Sequence, residues 1–209
     1  MDAVIFDLDG VVVNTEQFWN KAEEEIYLQA TGEEVDVSEF AGMSITNTYR
    51  ELSEKYEISI SQEEFFQLYE EKADEIYQKK AEIMPGFKQL VKDLRSEGLK
   101  IGLATGSYWP EKVIERFNLE FDAVVDPKKL EGSGKPEPET YRLATDKIGV
   151  KPSESVAVDD TSPGTQSAKS AGLYCIGYAG SGGKGPEEAD EVVKSPEKLR
   201  ERLFELIKE

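Results

Sequence analysis

The run Ala3-Val4-Ile5-Phe6 is apolar without interruption, carries β-branched members, and gives way at once to Asp7-Leu8-Asp9-Gly10. An apolar run with no polar alternation reads as a strand buried on both faces, the signature of a parallel sheet covered by helices on each side. The aspartate pair therefore falls at the carboxyl end of that strand, where open α/β sheets bind ligands. Two carboxylates two residues apart, with glycine next, can supply a nucleophile, a proton donor and oxygen ligands for a metal. A strand end followed by an ordinary polar turn accounts for the same tetrapeptide, so its meaning depends on the rest of the chain.

Further β-rich runs lie at 100–104, 123–125, 155–158 and 174–178, each long enough for one strand. Helix-length patterns separate them at about 86–97, 110–118, 137–149 and 163–171. Prolines stand near several of the helix starts (Pro85, Pro110, Pro136 or Pro138, Pro163), and Gly98 and Gly172 close two of them. Strands alternating with helices predict right-handed βαβ units. The fold class is α/β, a doubly wound, Rossmann-like parallel sheet.

Residues 14–81 break the alternation. They offer no convincing strand, and their apolar residues recur at helical spacing: Phe18, Ala22, Ile26 and Ala30, then Tyr49, Leu52 and Tyr56, then Phe65, Leu68, Tyr69, Ala73, Ile76 and Tyr77. The stretch reads as a small all-helical cap inserted after the first strand, 14–81, within a core domain made of 1–13 and 82–209. These helices joining the main core is the competing arrangement. Gly180 to Gly185 reads as a surface loop, and the Glu/Lys-rich tail from Ser195 as a final surface helix.

A chain of 209 residues has room for such a two-part enzyme. Its net charge of −18 argues against nucleic acid as a partner, because neutralising phosphates takes clustered Lys and Arg. Cys175 is the only cysteine, so neither an internal disulfide nor a cysteine zinc site can form, and the absence of histidine removes histidine-based catalysis. No apolar run approaches membrane-spanning length and the first residues do not resemble a leader; a cytoplasmic protein with no membrane partner is expected.

Three more constellations carry chemistry. Ala104-Thr105-Gly106-Ser107 ends the second strand with a hydroxyl and free backbone N–H groups ahead of a helix, suited to a phosphate oxygen, although Thr-Gly-Ser is also ordinary loop chemistry. Gly134-Lys135-Pro136-Glu137-Pro138 fixes a lysine between glycine and proline. Val158-Asp159-Asp160-Thr161 places a second acidic pair at a strand end. All carboxyl ends of a parallel sheet share one edge, so both pairs, Thr105 and Lys135 can face one crevice. Carboxylates gathered there repel unless a cation intervenes, and hard oxygen ligands without His or Cys select Mg²⁺. A lysine and a hydroxyl beside that ion make a receptor for a phosphoryl group.

In order and spacing, these four motifs resemble those of the haloacid dehalogenase-like phosphohydrolases, and most nearly the β-phosphoglucomutase-like phosphatases, whose helical cap follows the first strand. The resemblance runs from the first strand to Gly177. It implies that Asp7 attacks phosphorus and becomes an aspartyl-phosphate, and that Asp9 protonates the leaving oxygen and then activates water. It implies too that Thr105 and the Gly106 amide bind the transferring phosphoryl and that Lys135 neutralises it and steadies Asp7. Asp160 with Asp159 would hold Mg²⁺ beside Asp7 and the backbone carbonyl of Asp9. The expected partner is a small phosphorylated metabolite.

Within the family a sugar-phosphate mutase is the nearest rival. Such mutases carry histidine where Trp19 stands, lysine where Ala41 stands and arginine where Ile45 stands, so this chain lacks all three polar handles, with Arg50 the nearest substitute. A dehalogenase has no need of Asp9, and a phosphonate hydrolase needs a cap lysine that does not occur between Lys21 and Lys55. From another class, a phospho-accepting signalling receiver uses similar residues without the insertion or Asp9. Trp19, Met43, Ser44, Asn47, Arg50, Ser107 and Trp109 are the candidates to line the entrance, with packing between cap and core as the alternative role for the aromatics.

Overall fold

The apolar run forms β1 (Ala3–Phe6), buried along its whole length. The computed structural model describes residues 1–40, 43–130, 134–180 and 184–208. Ala41, and residues 181–183 of the glycine-rich loop, lie outside the described residues. The other strands are β2 (Lys100–Ala104), β3 (Ala123–Val125), β4 (Ser155–Asp159), β5 (Tyr174–Tyr178) and β6 (Glu191–Val193). They form one parallel sheet in the order β3-β2-β1-β4-β5-β6. The sixth strand was not legible in the sequence: it has three residues, is only partly buried and begins with a glutamate.

Alternation along β1 sends Val4 and Phe6 to one face and Ala3 and Ile5 to the other. The first face packs with Leu90 and Leu94 of α4 (Phe87–Ser96), Val113 of α5 (Pro110–Phe117), and Leu199 and Leu203 of α8 (Pro196–Leu206). The second packs with Tyr141, Ala144 and Ile148 of α6 (Glu139–Ile148) and with Ala168 and Ala171 of α7 (Ser162–Ala171). The doubly wound architecture is thus present, and α8 buries one apolar face rather than lying wholly on the surface.

Between β1 and α4 the chain forms α1 (Glu16–Thr31), α2 (Ile45–Lys55) and α3 (Gln62–Glu75), the last running into one wider π turn, Ile76–Lys80. Their facing aromatics pack together, Phe65 lying 6.3 Å from Tyr27, 5.3 Å from Tyr49 and 5.3 Å from Tyr69 between ring centroids, and join the apolar cluster that covers the Val4 and Phe6 face of the sheet. The chain enters and leaves this insertion side by side. Asn14 N donates to the Glu82 carbonyl at 3.0 Å and Met84 N to the Val12 carbonyl at 2.9 Å.

Strand order reverses about β1, whose neighbours are β2 and β4. That switch point opens a crevice at the carboxyl ends of these strands, where the motifs converge. Among the described residues, no helix is long and apolar enough to cross a membrane.

Candidate active site

Asp7 extends β1 by one ladder bond, its N–H donating to the Val158 carbonyl at 2.9 Å. The chain then turns, and Gly10 N–H closes the turn on the Val13 carbonyl at 2.8 Å. Glycine is required there on two counts. Its φ is +80°, and a Cβ would sit 1.9 Å from Asp160 Oδ2. The turn separates the surroundings of the two aspartates, so that Asp7 belongs to the sheet edge and Asp9 to the helical insertion.

Lys135 is buried, at 2% exposure, and its ammonium donates to Asp7 Oδ1 and to Asp159 Oδ2, both at 2.6 Å. Asp159 Oδ2 also accepts the Tyr141 hydroxyl at 2.6 Å, while Oδ1 accepts Thr161 N–H at 3.0 Å and the Thr161 hydroxyl at 2.9 Å. Thr161 is at the same time the N-cap of α7, accepting Gly164 N–H at 3.1 Å. A Cβ on Gly164 would fall 2.0 Å from the Asp159 carboxylate. The second acidic pair is therefore locked by the start of α7, and Asp159 is surrounded by donors.

Burial pushes the Asp7 carboxyl up to about 7, with the charges of Asp159 and Asp9 adding to the shift and Lys135 opposing it. Burial also works against the Lys135 charge, but Asp159 and Asp7 more than offset that and hold the ammonium above its ordinary value. Asp160 is pushed well above the carboxylate range by burial and by the charges of Asp7, Asp159 and Glu16.

These residues fit a hard cation. Oxygens of Asp7, Asp159 and Asp160 lie within 4.8 Å of one another. Asp160 Oδ1 is buried without a hydrogen-bond partner, a state that costs about 1–3 kcal/mol or more unless something positive meets it. The donors are oxygen only, which favours Mg²⁺ over softer metals. The Asp9 carboxylate is not among these oxygens, which leaves its backbone carbonyl, the atom that the sequence reading assigned to the ion.

Asp9 has other partners. The Thr15 hydroxyl donates to Oδ1, as does Trp19 Nε1 at 3.1 Å, and the Tyr77 hydroxyl donates to Oδ2 at 2.8 Å while lying 2.9 Å from Ser107 Oγ. Thr15 occupies the N-cap position of α1 but makes no capping bond, because its hydroxyl is given to Asp9. Burial raises the Asp9 carboxyl above its ordinary value, and the bonds from Thr15, Tyr77 and Trp19 pull against that rise.

Thr105, 1% exposed, anchors the loop after β2 by accepting Ser107 N–H at 3.0 Å. With Gly106 and Ser107 it lines a crevice of about 130 Å³ together with Asp7, Asp9, Lys135 and Asp160. Trp19, Met43 and Trp109 line it too, and Trp109 also packs on Phe66 of α3 at 5.3 Å. Three of the expected entrance residues do not reach it. Ser44 caps α2, and Ser44 and Asn47 pack against Gly134 instead. Arg50 lies on the outer face of α2, opposite the inward Ile45, Thr48 and Leu52, with its side chain 61% exposed beside Glu51. Conversely Glu16, Asn20, Glu23, Tyr69, Tyr77 and Tyr108 line the crevice without having stood out in the sequence.

Fold and site together define a phosphoric monoester hydrolase built on a doubly wound sheet. The family model of the haloacid dehalogenase-like hydrolases matches residues 1–172, and the chain belongs to that family, in its β-phosphoglucomutase-like branch. It is 30% identical over 227 residues to a phosphorylated carbohydrates phosphatase of Thermotoga maritima, covering 99% of this chain and all of that one. To a β-phosphoglucomutase of Bacillus subtilis it is 29% identical over 193 residues, 85% of this chain and 83% of that one. The crystal structure of a β-phosphoglucomutase from Clostridium difficile superposes with a TM-score of 0.82 at 26% identity, covering 100% of this chain and 97% of that one.

Proposed function

We propose that the chain is a Mg²⁺-dependent phosphatase that hydrolyses a small sugar-phosphate type of monoester through an aspartyl-phosphate on Asp7. The observation that carries this reading is the buried lysine bridge. Lys135 grips one oxygen of Asp7 and leaves Oδ2, which takes no hydrogen bond from any described residue, to face the crevice. In the first half-reaction an Asp7 oxygen forms a bond to phosphorus as the bond from phosphorus to the leaving oxygen breaks, and the Asp9 carboxyl gives that oxygen its proton. In the second, Asp9 takes a proton from water as the water oxygen attacks phosphorus and the bond to Asp7 breaks. Thr105 and the Gly106 amide hold the phosphoryl oxygens, and Lys135 offsets their charge. A cation held by Asp7, Asp160 and the Asp9 carbonyl would add positive charge at the transferring group. Asp159, its oxygens already engaged, works by fixing Lys135.

In this reading residues 14–81 act as the cap and 1–13 with 82–209 as the core. The mutase alternative needs a cationic grip on a second phosphate, and among the described residues lining the crevice Lys135 is the sole cation. Water therefore takes the phosphoryl group. Incubation with a panel of sugar, polyol and nucleotide monophosphates plus Mg²⁺ should release inorganic phosphate steadily, and Asp7→Asn should abolish release. Interconversion of β-glucose 1-phosphate and glucose 6-phosphate outpacing phosphate release would overturn the hydrolase reading, and more than a few per cent of activity left in Asp7→Asn would remove the nucleophile.

A further inference from the structure

Helix α1 presents Glu16, Trp19, Asn20 and Glu23 to the crevice, the i, i+3, i+4, i+7 spacing of a single helical face. Asp9 accounts for Trp19. Nothing in the phosphoryl chemistry accounts for Glu23, an acidic side chain placed where a phosphate ester must enter. The phosphoryl group is already met by Asp7, Thr105 and Lys135, none of which bonds to Glu23, so Glu23 is left for the organic part of the ester.

Glu23 is held in a particular orientation. Its Oε1 accepts the Tyr69 hydroxyl at 3.0 Å, and that hydroxyl lies 3.1 Å from the buried Tyr27 hydroxyl. The Trp19 ring stacks on Tyr69 at 5.9 Å, fixing the other side. Oε2 takes no hydrogen bond from any described residue and is left for the crevice. We propose that Glu23 selects the leaving group: Oε2 meets a hydroxyl of an uncharged, hydroxyl-rich moiety, so that the enzyme favours polyol and sugar monophosphates over esters carrying a second anionic group. This rests on the phosphatase reading and names its substrate class.

The charge inventory of the crevice supports the same choice. Lys135 is committed to the phosphoryl end, and no other lining cation is described to receive a carboxylate or a second phosphate. An anion placed beside Glu23 would be buried unpaired, which is costly, whereas a hydroxyl is satisfied by either form of the acid. Burial pushes the Glu23 carboxyl up to about 8 while Tyr69 pulls it down, so the neutral form, which both donates and accepts, is present near neutral pH. A site built around a hydroxyl in this way discriminates strongly against substrates that lack one.

The test compares kcat/KM for D-glucitol 6-phosphate, 2-phosphoglycolate and p-nitrophenyl phosphate in the wild type, Glu23→Gln, Glu23→Ala and Tyr27→Phe. Losing a hydrogen bond to the neutral Glu23 carboxyl predicts that the glucitol-to-nitrophenyl ratio falls about three- to tenfold in Glu23→Ala and by a smaller factor in Glu23→Gln. Tyr27→Phe, which alters only the far end of the hydroxyl chain, should keep the wild-type ratio. The proposal is overturned if both Glu23 variants keep the ratio within about twofold, if Tyr27→Phe reproduces their effect, or if the wild type prefers phosphoglycolate. Calorimetric binding of glucitol 6-phosphate to Asp7→Asn with and without Glu23→Ala decides the matter apart from turnover. Weaker binding in the double variant upholds Glu23 even if none of the three esters is hydrolysed, an outcome that would instead sink the phosphatase reading.

Discussion

Replacing Lys135 with methionine keeps most of the side-chain length and volume, so no large cavity adds to the effect, and removes the one charge that bridges two buried carboxylates. Breaking a buried ion pair by deleting one partner costs about 3–5 kcal/mol, because the other partner stays behind uncompensated. Two features place this case near the lower end. Asp159 keeps three donors, the Tyr141 hydroxyl at 2.6 Å and the Thr161 N–H and hydroxyl at 3.0 and 2.9 Å. Asp7 opens on the crevice with 8% side-chain exposure, so water can approach the oxygen that Lys135 releases. We expect a loss of about 3 kcal/mol at neutral pH with divalent ions chelated, which at a slope of about 2–3 kcal/mol per molar urea moves the unfolding midpoint down by about 1–1.5 M. Urea titration followed by far-UV circular dichroism in EDTA reads this directly. Repeating it in an Asp7→Asn background, where Lys135 bridges one carboxylate instead of two and has less to lose, should shrink the cost of Lys135→Met by about 1 kcal/mol or more. A cost below about 1 kcal/mol, or one unaltered in the Asp7→Asn background, would mean that the bridge does not carry the electrostatic load assigned to it.

Asp9→Asn should lose most turnover of alkyl phosphates and keep more on p-nitrophenyl phosphate, whose leaving group needs less protonation; equal losses on the two would make Asp9 a positional residue. Asp160→Ala should raise the Mg²⁺ needed for half-maximal phosphate release well beyond the rise in Asp159→Asn, since Asp160 has an oxygen without a partner and Asp159 has none; the reverse order would swap their roles. Glu23 holds its proton in the folded chain up to about pH 8, against an ordinary value of 4.5. The folded state therefore binds the extra proton, and stability falls as pH rises through that window. The melting temperature of Glu23→Gln should match the wild type near pH 4.5, exceed it by a growing margin up to pH 8 and hold that margin above; a margin independent of pH would show that ionisation of Glu23 costs nothing on folding.

Much of the architecture was legible because a parallel sheet covered on both faces leaves few options: β1 to β5 are apolar runs, and Pro110, Pro163, Gly98 and Gly172 punctuate the helices between them. Strand β6 escaped because an edge strand of three partly buried residues produces no such run. The phosphoryl end of the site was legible for a related reason: Asp7, Thr105 and Asp160 follow directly on strands and Asp159 ends one, so they need no knowledge of side-chain direction, while Lys135, ten residues after β3, was marked by its glycine and proline neighbours. The residues that were missed sit on helices or within loops whose inward face depends on tertiary packing. Tyr77 reads as one more apolar position of the pattern that begins at Phe65, yet its hydroxyl is at Asp9; Thr15 was not singled out at all, and its hydroxyl is spent on the same carboxylate. Arg50 was misplaced by the same limitation in the opposite sense. The buried positions Ile45, Thr48 and Leu52 already mark the inward face of α2, and a residue two positions after Thr48 points away from it.

The division of labour between Asp7 and Asp9 follows from where their hydrogen bonds come from. Asp7 is fixed by Lys135, which is fixed in turn by Asp159 and the start of α7, so the whole set belongs to the sheet edge. Asp9 is fixed by Thr15, by Trp19 of α1 and by Tyr77 after α3, so its setting belongs to the insertion. Only Leu8 separates them, and Gly10, at a φ no other residue tolerates well, turns the chain from one setting to the other. Any movement that lifts α1 and α3 off the sheet must take the indole and phenol donors away from Asp9 while leaving Asp7 and Lys135 untouched. In the proposed mechanism the nucleophile is therefore held by the sheet edge alone. Its proton donor would be complete only with the helices packed on the sheet, which would couple exclusion of water to readiness of the acid without any further contact.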